Sequence, residues 1–193
     1  LNLSEISHPT VHELTNSPEN AKAFREAITE AKNSDLTFGA AVYVYDQSEY
    51  EGMRLFLTDD GKHGFAIKED GDIVSVFSAK NKDQKKFDAK NKDTWSGVAN
   101  WFLTVATSEG GTKLDCYDTI LPEIYELNGF RVVRRDKWDE SQAPTDWNKE
   151  TFKKYNNGEP DVVYMEFDPT YDPSAEQDEQ ATDTKPTPKY RIA

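Results

Sequence analysis

One stretch constrains the fold more than any other: residues 112–138 have the pattern of a strand, a helix and a second strand. Residues 114–117 are predicted to form a short strand. Asp118 is expected to cap the helix that follows, because its carboxylate can accept an orphan backbone N–H. Pro122 suits the first helical turn, where its missing N–H costs little. The Asn-Gly pair at 128–129 ends the helix, since both residues tolerate the left-handed conformation at a helix C-terminus.

The predicted helix has an apolar stripe, made by Leu121, Ile124, Tyr125 and Leu127. Such a stripe is typical of a helix that packs against another layer of structure. Residues 130–133 then begin the second strand of the unit. A strand–helix–strand unit of this kind indicates how the chain folds and does not by itself indicate a function.

The pattern before this unit predicts a helix followed by a meander. Ser17 is expected to cap a helix over 18–33, with a proline at its first position and an acid in its first turn. Strands are predicted at 40–45, 53–57, 64–68 and 72–77. Turn sequences at 59–61 and 69–72 separate the later strands, and successive strands joined by tight turns form an antiparallel sheet.

Two further elements complete the predicted core. A helix is expected from Thr94 to about residue 107, with a buried face made by Val98, Trp101, Phe102 and Val105. The last core strand is predicted over 161–167. Two histidines, His8 and His12, lie four residues apart, but Pro9 stands between them and no third ligand is evident. They are interpreted as surface or packing residues, and no metal site is predicted.

Composition limits the classes of partner. The chain has 193 residues, enough for one domain with a hydrophobic core, and a net charge of −13. This acidic surface disfavours nucleic acid and anionic membranes as partners, and no apolar run is long enough to span a bilayer. An acidic mimic of DNA would carry its acids along one face, whereas here they are scattered. The single cysteine, Cys116, is interpreted as a core residue and fits a reducing compartment.

Four segments stand apart from the predicted core. Residues 1–16 are predicted to form an N-terminal arm or a strand. Residues 79–93 contain six lysines and three aspartates, which indicate either a solvated loop or a cluster that faces phosphates. Residues 139–160 form an insertion before the last strand, with Asp146 expected to cap a helix that ends at 155. Residues 169–193 are an acidic, proline-rich tail, expected to be disordered or extended.

The aromatic residues of the insertion allow two interpretations. Trp138, Trp147 and Tyr155 either pack the insertion onto the sheet or form a lid or substrate wall. The two are weighed equally on the sequence alone.

Two segments carry a family resemblance: L-P-E-I-Y-E-L-N-G-F at 121–130 and P-D-V-V-Y-M at 160–165. Together with the order of the elements over about 17–168, they resemble the GNAT superfamily of N-acyltransferases. The insertion between them is similar to that of GNAT-like domains in bacteriophage and mobile-element proteins. The resemblance implies an α/β (α+β) fold with a mixed, mostly antiparallel central sheet flanked by helices. It also implies acetyl-CoA as the cofactor.

The resemblance assigns roles to particular positions. The backbone of the fourth strand, at Val74, Val76 and Phe77, is expected to hold the thioester carbonyl and the pantetheine arm. The GNAT phosphate-binding turn has the pattern Q/R-x-x-G-x-G/A, and the positions expected to hold the pyrophosphate are Thr94, Ser96, Gly97, Val98 and Ala99. Gly97 and Ala99 match the last two places of that pattern, while Thr94 stands where the family has Gln or Arg. Tyr125 matches the family's general acid, and Asp118 is a further candidate for cofactor contact.

The residues and the resemblance together support two alternative functions. The first is an N-acetyltransferase that transfers an acetyl group directly from acetyl-CoA to a small-molecule or protein amine. The alternative is a catalytically inactive GNAT-like domain that acts as a structural or interaction module, as in a phage virion or accessory protein. Its tail would then bind a protein partner. The expected location is the cytoplasm, which for a phage protein means the host cytoplasm or the virion.

Overall fold

The computed structural model describes residues 10–35, 39–79 and 94–175, with the backbone alone for 94–100. The chain divides into two compact units, Leu1–Gly111 and Thr112–Ala193. Both units combine antiparallel strands with helices, which confirms the predicted α/β (α+β) class. The described strands form two hydrogen-bonded sheets, one of four strands and one of three.

The first unit contains an antiparallel meander with strand order β1-β2-β3-β4. Its elements are β1 (Val11–Leu14), α1 (Pro18–Ser34), α2 (Gln47–Tyr50), β2 (Arg54–Thr58), β3 (His63–Ile67), β4 (Ile73–Ser78) and α3 (Thr94–Ser108). The sequence left the region of β1 open between an arm and a strand, and the structure places Val11–Leu14 in the sheet.

Helix α1 begins as predicted. The Ser17 hydroxyl accepts the backbone N–H of Asn20 at 3.1 Å, and Pro18 occupies the first turn. One face of the helix is buried, through Ala21, Phe24, Ile28 and Ala31. This face packs with Leu55, Ala66, Val74 and Phe77 of the meander and with Tyr50 of α2. The helical spacing of apolar residues therefore predicted both the helix and its buried side.

Helix α3 contributes to a second cluster of the first unit. The Phe65 ring of β3 stacks on Phe56 of β2 with centroids 4.6 Å apart and meets Phe102 of α3 edge-on at 5.9 Å. The buried residues of the described part of α3 are Phe102, Leu103 and Ala106. Of the predicted face, Phe102 is buried and Trp101 and Val105 are only half-buried, whereas the side chain of Val98 lies outside the described residues.

The strand predicted at 40–45 is wrong. Gly39–Ala41 forms a short 3-10 helix, and residues 42–46 are irregular. Side chains of α1 bind the carbonyl groups of this segment: Lys32 Nζ donates to Val42 O at 2.8 Å, and Arg25 Nε donates to Tyr45 O at 3.0 Å. Because helix side chains occupy these carbonyl groups, the segment follows α1 instead of a strand.

The second unit contains β5 (Lys113–Tyr117), α4 (Leu121–Glu126), β6 (Phe130–Asp136) and β7 (Val162–Phe167). Its strand order is β5-β7-β6, with both pairings antiparallel. The strand that begins at Phe130 therefore pairs with the last strand of the unit. Helix α4 ends at Glu126, and Gly129 has a φ of +85°, as the Asn-Gly signal indicated.

Three predictions in the second unit are wrong. Asp118 does not cap α4, because Arg135 of β6 binds its carboxylate at 2.5 Å, and the helix is preceded by Ile120 without a side-chain cap. Leu127, expected in the apolar stripe, is 68% exposed. Asp146 begins no helix. Residues 149–155 form turns, with the Asn148 side chain accepting the backbone N–H of Glu150 at 3.0 Å.

Several predictions fall outside the described residues. They concern His8, the lysine-rich residues 80–93, most of the N-terminal arm and residues 176–193 of the tail. Within residues 10–35, 39–79 and 94–175, no helix is long and apolar enough to cross a bilayer. The same described ranges contain no group of three or more His, Cys, Asp or Glu side chains able to hold a metal ion.

Candidate functional site

The candidate site lies on β4, which is the last strand of its sheet. Hydrogen bonds at both ends of β4 fix its pairing with β3: Ala79 N–H donates to Lys62 O at 2.7 Å, and Lys68 N–H donates to Asp72 O at 2.9 Å. Hydrogen-bonded and non-hydrogen-bonded pairs alternate along an antiparallel ladder. Every second position of β4 therefore directs its backbone N–H and C=O away from β3.

A bulge interrupts this alternation in the middle of β4. The register shifts by one residue between the pairs Ala66–Val74 and Gly64–Phe77. Ser75 and Val76 together oppose Phe65, and neither has a partner on β3 in this register. Because hydrogen-bonded and non-hydrogen-bonded pairs alternate, the bulge falls at a non-hydrogen-bonded position, where the backbone of β4 already points away from β3. A bulge at such a position is of the wide type. The backbone of two consecutive residues is thus released from the ladder.

Ser75 has a backbone conformation that is unusual for its residue type. Its φ is +53°, whereas the other described non-glycine residues with positive φ are asparagines, Asn156 and Asn157. Serine seldom adopts the left-handed region, and such conformations concentrate at functional sites. The sequence contains no signal for this bulge, because four of the five residues of I-V-S-V-F are apolar and suit a regular strand equally well.

The strand opposite the bulge has a glycine for a steric reason. A Cβ at Gly64 would lie 2.6 Å from the Phe56 carbonyl oxygen and 2.8 Å from the Phe77 ring. The Phe77 ring therefore lies over a strand position that only glycine can occupy without rearrangement. Close packing on this side helps to fix the strand on either side of the bulge.

The three residues predicted on this strand have different positions. Val76 lies in the bulge, whereas Val74 and Phe77 are paired with β3 and bury their side chains toward α1. The outward backbone near the site therefore belongs to Ser75 and Val76. The roles of Val74, Val76 and Phe77 in ligand binding stay predictions.

The first turn of α3 contains the residues expected to hold a pyrophosphate. The helix begins at Thr94, so Thr94, Ser96 and Gly97 lie in its first turn and Val98 and Ala99 follow in the second. Backbone N–H groups of a first helical turn have no partner within the helix, and they bind anions together with the helix dipole. Those of the second turn bond within the helix. The arrangement suits an anion at the first turn, and the contacts of all five residues stay predictions.

A histidine–serine pair lies at the end of β4. His63 Nδ1 and Ser78 Oγ are 2.7 Å apart across the β3–β4 pair, and the His63 ring packs on Phe102 at 5.8 Å. Burial lowers the pKa of His63, so its imidazole is neutral at neutral pH. The pair was not identified from the sequence, because the two residues are 15 positions apart and meet only through the strand register.

The lowered pKa of His63 predicts a pH dependence of stability. An unfolded histidine binds its proton near pH 6.5, whereas folded His63 binds it at lower pH. Unfolding therefore takes up a proton below about pH 6.5, and the free energy of unfolding should fall as the pH decreases through that value. His63→Gln should remove this component in thermal denaturation between about pH 7 and 5. His12→Gln, at an exposed position of β1, is the control for losing a histidine, and the same pH profile in wild type and His63→Gln would contradict the prediction.

Tyr125 of α4, the predicted general acid, lies in the interior of the second unit. It is 9% exposed, and its ring packs on Phe130 with centroids 6.1 Å apart. Burial, with added contributions from Cys116 and Asp115, raises the pKa of the Tyr125 phenol well above its usual value. The phenol therefore keeps its proton at neutral pH, as a proton donor must. A core tyrosine has the same properties, so its catalytic role stays a prediction.

Asp118 lies in an ion cluster at the end of the three-stranded sheet. Arg135 Nη1 lies 2.5 Å from Asp118 Oδ2 and 4.0 Å from Asp161 Oδ2, and Lys137 is 3.9 Å from Asp161. The Asp118 backbone N–H also donates to Asp161 O at 2.8 Å. These contacts give Asp118 a structural role in joining β5, β6 and β7. Its expected cofactor contact stays a prediction.

The aromatic residues of the insertion pack on one another and on β5. The Trp147 ring stacks on Phe152 with centroids 3.9 Å apart and lies 4.8 Å from Tyr117, while Trp138 lies 5.2 Å from Trp147. Tyr155 is buried. Of the two interpretations, these contacts favour packing of the insertion over a lid. Desolvation also raises the pKa of the Cys116 thiol, although this residue is only half-buried and not part of the fully buried core.

Comparison with known proteins gave likenesses among solved structures alone. No protein-family model and no curated protein matches the chain. It is similar to a Bacillus subtilis acetyltransferase in complex with CoA, with 12% identity over 83% of this chain and 99% of that one and a TM-score of 0.43. It is also similar to a GNAT-family acetyltransferase from Staphylococcus aureus, with 9% identity, coverage of 82% and 100%, and a TM-score of 0.40.

A third similar structure is a GNAT-superfamily phosphinothricin acetyltransferase from Sinorhizobium meliloti in complex with AcCoA. Its identity is 11%, the match covers 83% of this chain and 88% of that chain, and the TM-score is 0.43. At these identities and TM-scores, the likenesses assign neither a family nor an activity to the chain.

Proposed function

We propose that the chain binds an acyl-CoA and transfers its acetyl group directly to an amine, as a GNAT-type N-acetyltransferase. The observation that carries the proposal is the bulge of β4. It releases the backbone of Ser75 and Val76 from the sheet, in the strand segment to which the sequence resemblance assigns the thioester carbonyl. Backbone N–H groups that are fixed before the ligand arrives stabilise a developing oxyanion without reorganisation.

The first turn of α3 supports the same proposal. The bulge and this turn both belong to the first unit. In the proposed mechanism, the amine attacks the thioester carbonyl, and the oxyanion that forms accepts hydrogen bonds from the bulge. The first turn of α3 binds the pyrophosphate, and the departing CoA thiolate takes up the proton that the attacking amine loses.

The proposal predicts a charge effect on cofactor affinity. Gly97→Glu adds a negative charge to the first turn of α3, where the pyrophosphate is expected. Juxtaposing like charges costs several kcal/mol, so acetyl-CoA affinity should fall about 100-fold in calorimetric titration. A Glu near a helix N-terminus is favourable for the helix dipole, so the fold should be retained. Circular dichroism checks this.

Thr104→Glu is the matched control, since it adds the same charge at an exposed position farther along α3. Its acetyl-CoA affinity should stay within about twofold of wild type, because a distant exposed charge is screened. Equal affinities of Gly97→Glu and wild type would contradict the assignment of the first turn. A wild-type chain that binds no acetyl-CoA at saturating concentration would contradict the acyltransferase proposal and favour the noncatalytic domain.

A further inference from the structure

The side chain that holds the β4 bulge comes from α2. Tyr50 is 0% exposed, and its hydroxyl lies 2.8 Å from Ser75 Oγ. The Tyr50 ring is fixed between aromatic neighbours, with Phe24 at 5.0 Å and Tyr45 at 5.7 Å, both edge-on. The hydroxyl therefore has one available position, directly beside the unusual residue of the strand.

The hydrogen bonds around Tyr50 form a chain with a single direction. The backbone N–H of Tyr45 donates to the Tyr50 hydroxyl at 3.1 Å. Ser75 Oγ donates to the Tyr43 carbonyl at 3.4 Å, so its hydroxyl proton is used there. The Tyr50 hydroxyl must then be the donor to Ser75 Oγ. Consecutive hydrogen bonds polarise one another, which strengthens a chain of this kind.

This chain explains why a serine remains in a left-handed conformation. Ser75 has a Cβ, and at φ +53° this conformation persists only where the surroundings determine it. The Ser75 hydroxyl is bound from two sides, by Tyr50 and by the Tyr43 carbonyl. Extension of β4 into a regular strand would move the hydroxyl away from both partners. The buried tyrosine thus couples the α2 segment to the backbone direction of the strand.

We propose that Tyr50 is a positioning residue, which holds Ser75 in the left-handed conformation so that the bulge of β4 can accept the carbonyl oxygen of an acyl thioester. The inference rests on the proposed function for its ligand, and on the geometry of the first unit for the positioning itself. Tyr50 acts through Ser75 and touches no reacting atom. Its effect should therefore be confined to ligands that carry an acyl carbonyl.

The experiment compares acetyl-CoA with CoA, because the two differ only in the acetyl group. Calorimetric titration of wild type should show tighter binding of acetyl-CoA. Tyr50→Phe keeps the buried ring and removes the hydroxyl. It should reduce the preference for acetyl-CoA about five- to tenfold, the effect of one hydrogen bond, with CoA affinity unchanged within about twofold. Tyr45→Phe, in the same aromatic cluster, is the matched control and should keep the preference.

A rescue separates positioning from general stability. Glycine adopts positive φ without a steric cost, so Ser75→Gly should restore the preference in the Tyr50→Phe background, whereas Ser75→Ala should not. The ¹³C chemical shifts of residue 75 should report the change from left-handed to extended backbone in Tyr50→Phe. A hydrogen bond that contributes only stability would weaken both ligands equally and would not be rescued by glycine.

The outcomes distinguish the two proposals. If wild type prefers acetyl-CoA and Tyr50→Phe keeps that preference, the positioning role is wrong while the proposed function stands. If Tyr50→Phe weakens the binding of acetyl-CoA and CoA equally, the positioning role is likewise wrong while the proposed function stands. If wild type binds neither ligand, the proposed function and this role are both wrong. The chemical shifts of residue 75 would then still show whether Tyr50 fixes the bulge.

Discussion

Phe24→Ala should lower the free energy of unfolding of the first unit by about 3–5 kcal/mol, the usual cost of removing a buried phenylalanine. Phe24 is completely buried on α1, and its ring meets Tyr50 at 5.0 Å and Phe77 at 5.6 Å. These two neighbours lie on α2 and β4, so the cavity would open where three elements meet. Urea denaturation followed by circular dichroism measures the loss, and hydrogen exchange of peptides from α2 and β4 locates it.

Lys22→Ala is the control for Phe24→Ala. Lys22 lies on the same helix with its side chain 67% exposed, and its contact with Glu26 spans 3.9 Å. An exposed pair of this kind contributes at most about 0.5 kcal/mol. Similar losses in the two variants would mean that the core of the first unit does not depend on the aromatic contacts of α1.

Gly158→Ala should destabilise the second unit by about 2–4 kcal/mol through strain and steric overlap together. Gly158 has a φ of +84°, and a Cβ there would lie 2.3 Å from the Lys149 carbonyl oxygen. A Cβ would also lie 2.6 Å from Lys149 Cα, so the overlap is with backbone and is relieved only if this segment moves. The change also threatens the hydrogen bond from Trp147 Nε1 to Gly158 O, which is 2.8 Å long.

A second glycine separates the two causes. Gly110 has a φ of +98°, but a Cβ there would meet no atom within 4 Å. Gly110→Ala should therefore show only the conformational cost, about 1–2 kcal/mol. Urea denaturation followed by tryptophan fluorescence measures both variants. Equal losses for the two would mean that the contact with Lys149 contributes nothing and that the insertion adjusts to the added methyl group.

Local signals predicted the elements whose hydrogen bonds are local. The cap and proline at the start of α1, the turn residues between β2, β3 and β4, and the Asn-Gly stop after α4 all act within a few positions of the chain. The structure agrees at each of them. Residues 40–45 were misinterpreted because their hydrogen bonds are not local. Val42 alternates with Tyr43 as in a strand, but Arg25 and Lys32 of α1 determine what the carbonyl groups of this segment bind.

The candidate site was predictable only in part. The sequence identified the strand segment and the helix start, because a resemblance in the order of elements assigns both. It did not identify Ser75, Tyr50 or the pair His63–Ser78, since each depends on residues that meet through the register of strands or the packing of α2. Asp118 was misassigned as a cap because its partner, Arg135, lies 17 positions away on another strand.

The pairing of β1 has a consequence for the order in which the first unit assembles. Strands β2, β3 and β4 are joined by tight turns, so their pairing closes short loops, which is fast and costs little chain entropy. Strand β1 instead pairs Val11 with Thr58, across the whole of α1 and α2. We expect the three-stranded meander to form first. Helix α1 then covers one face of the meander, and β1 docks last. Until β1 docks, β2 is an exposed edge, and this stage of folding is the one most open to strand exchange with another chain.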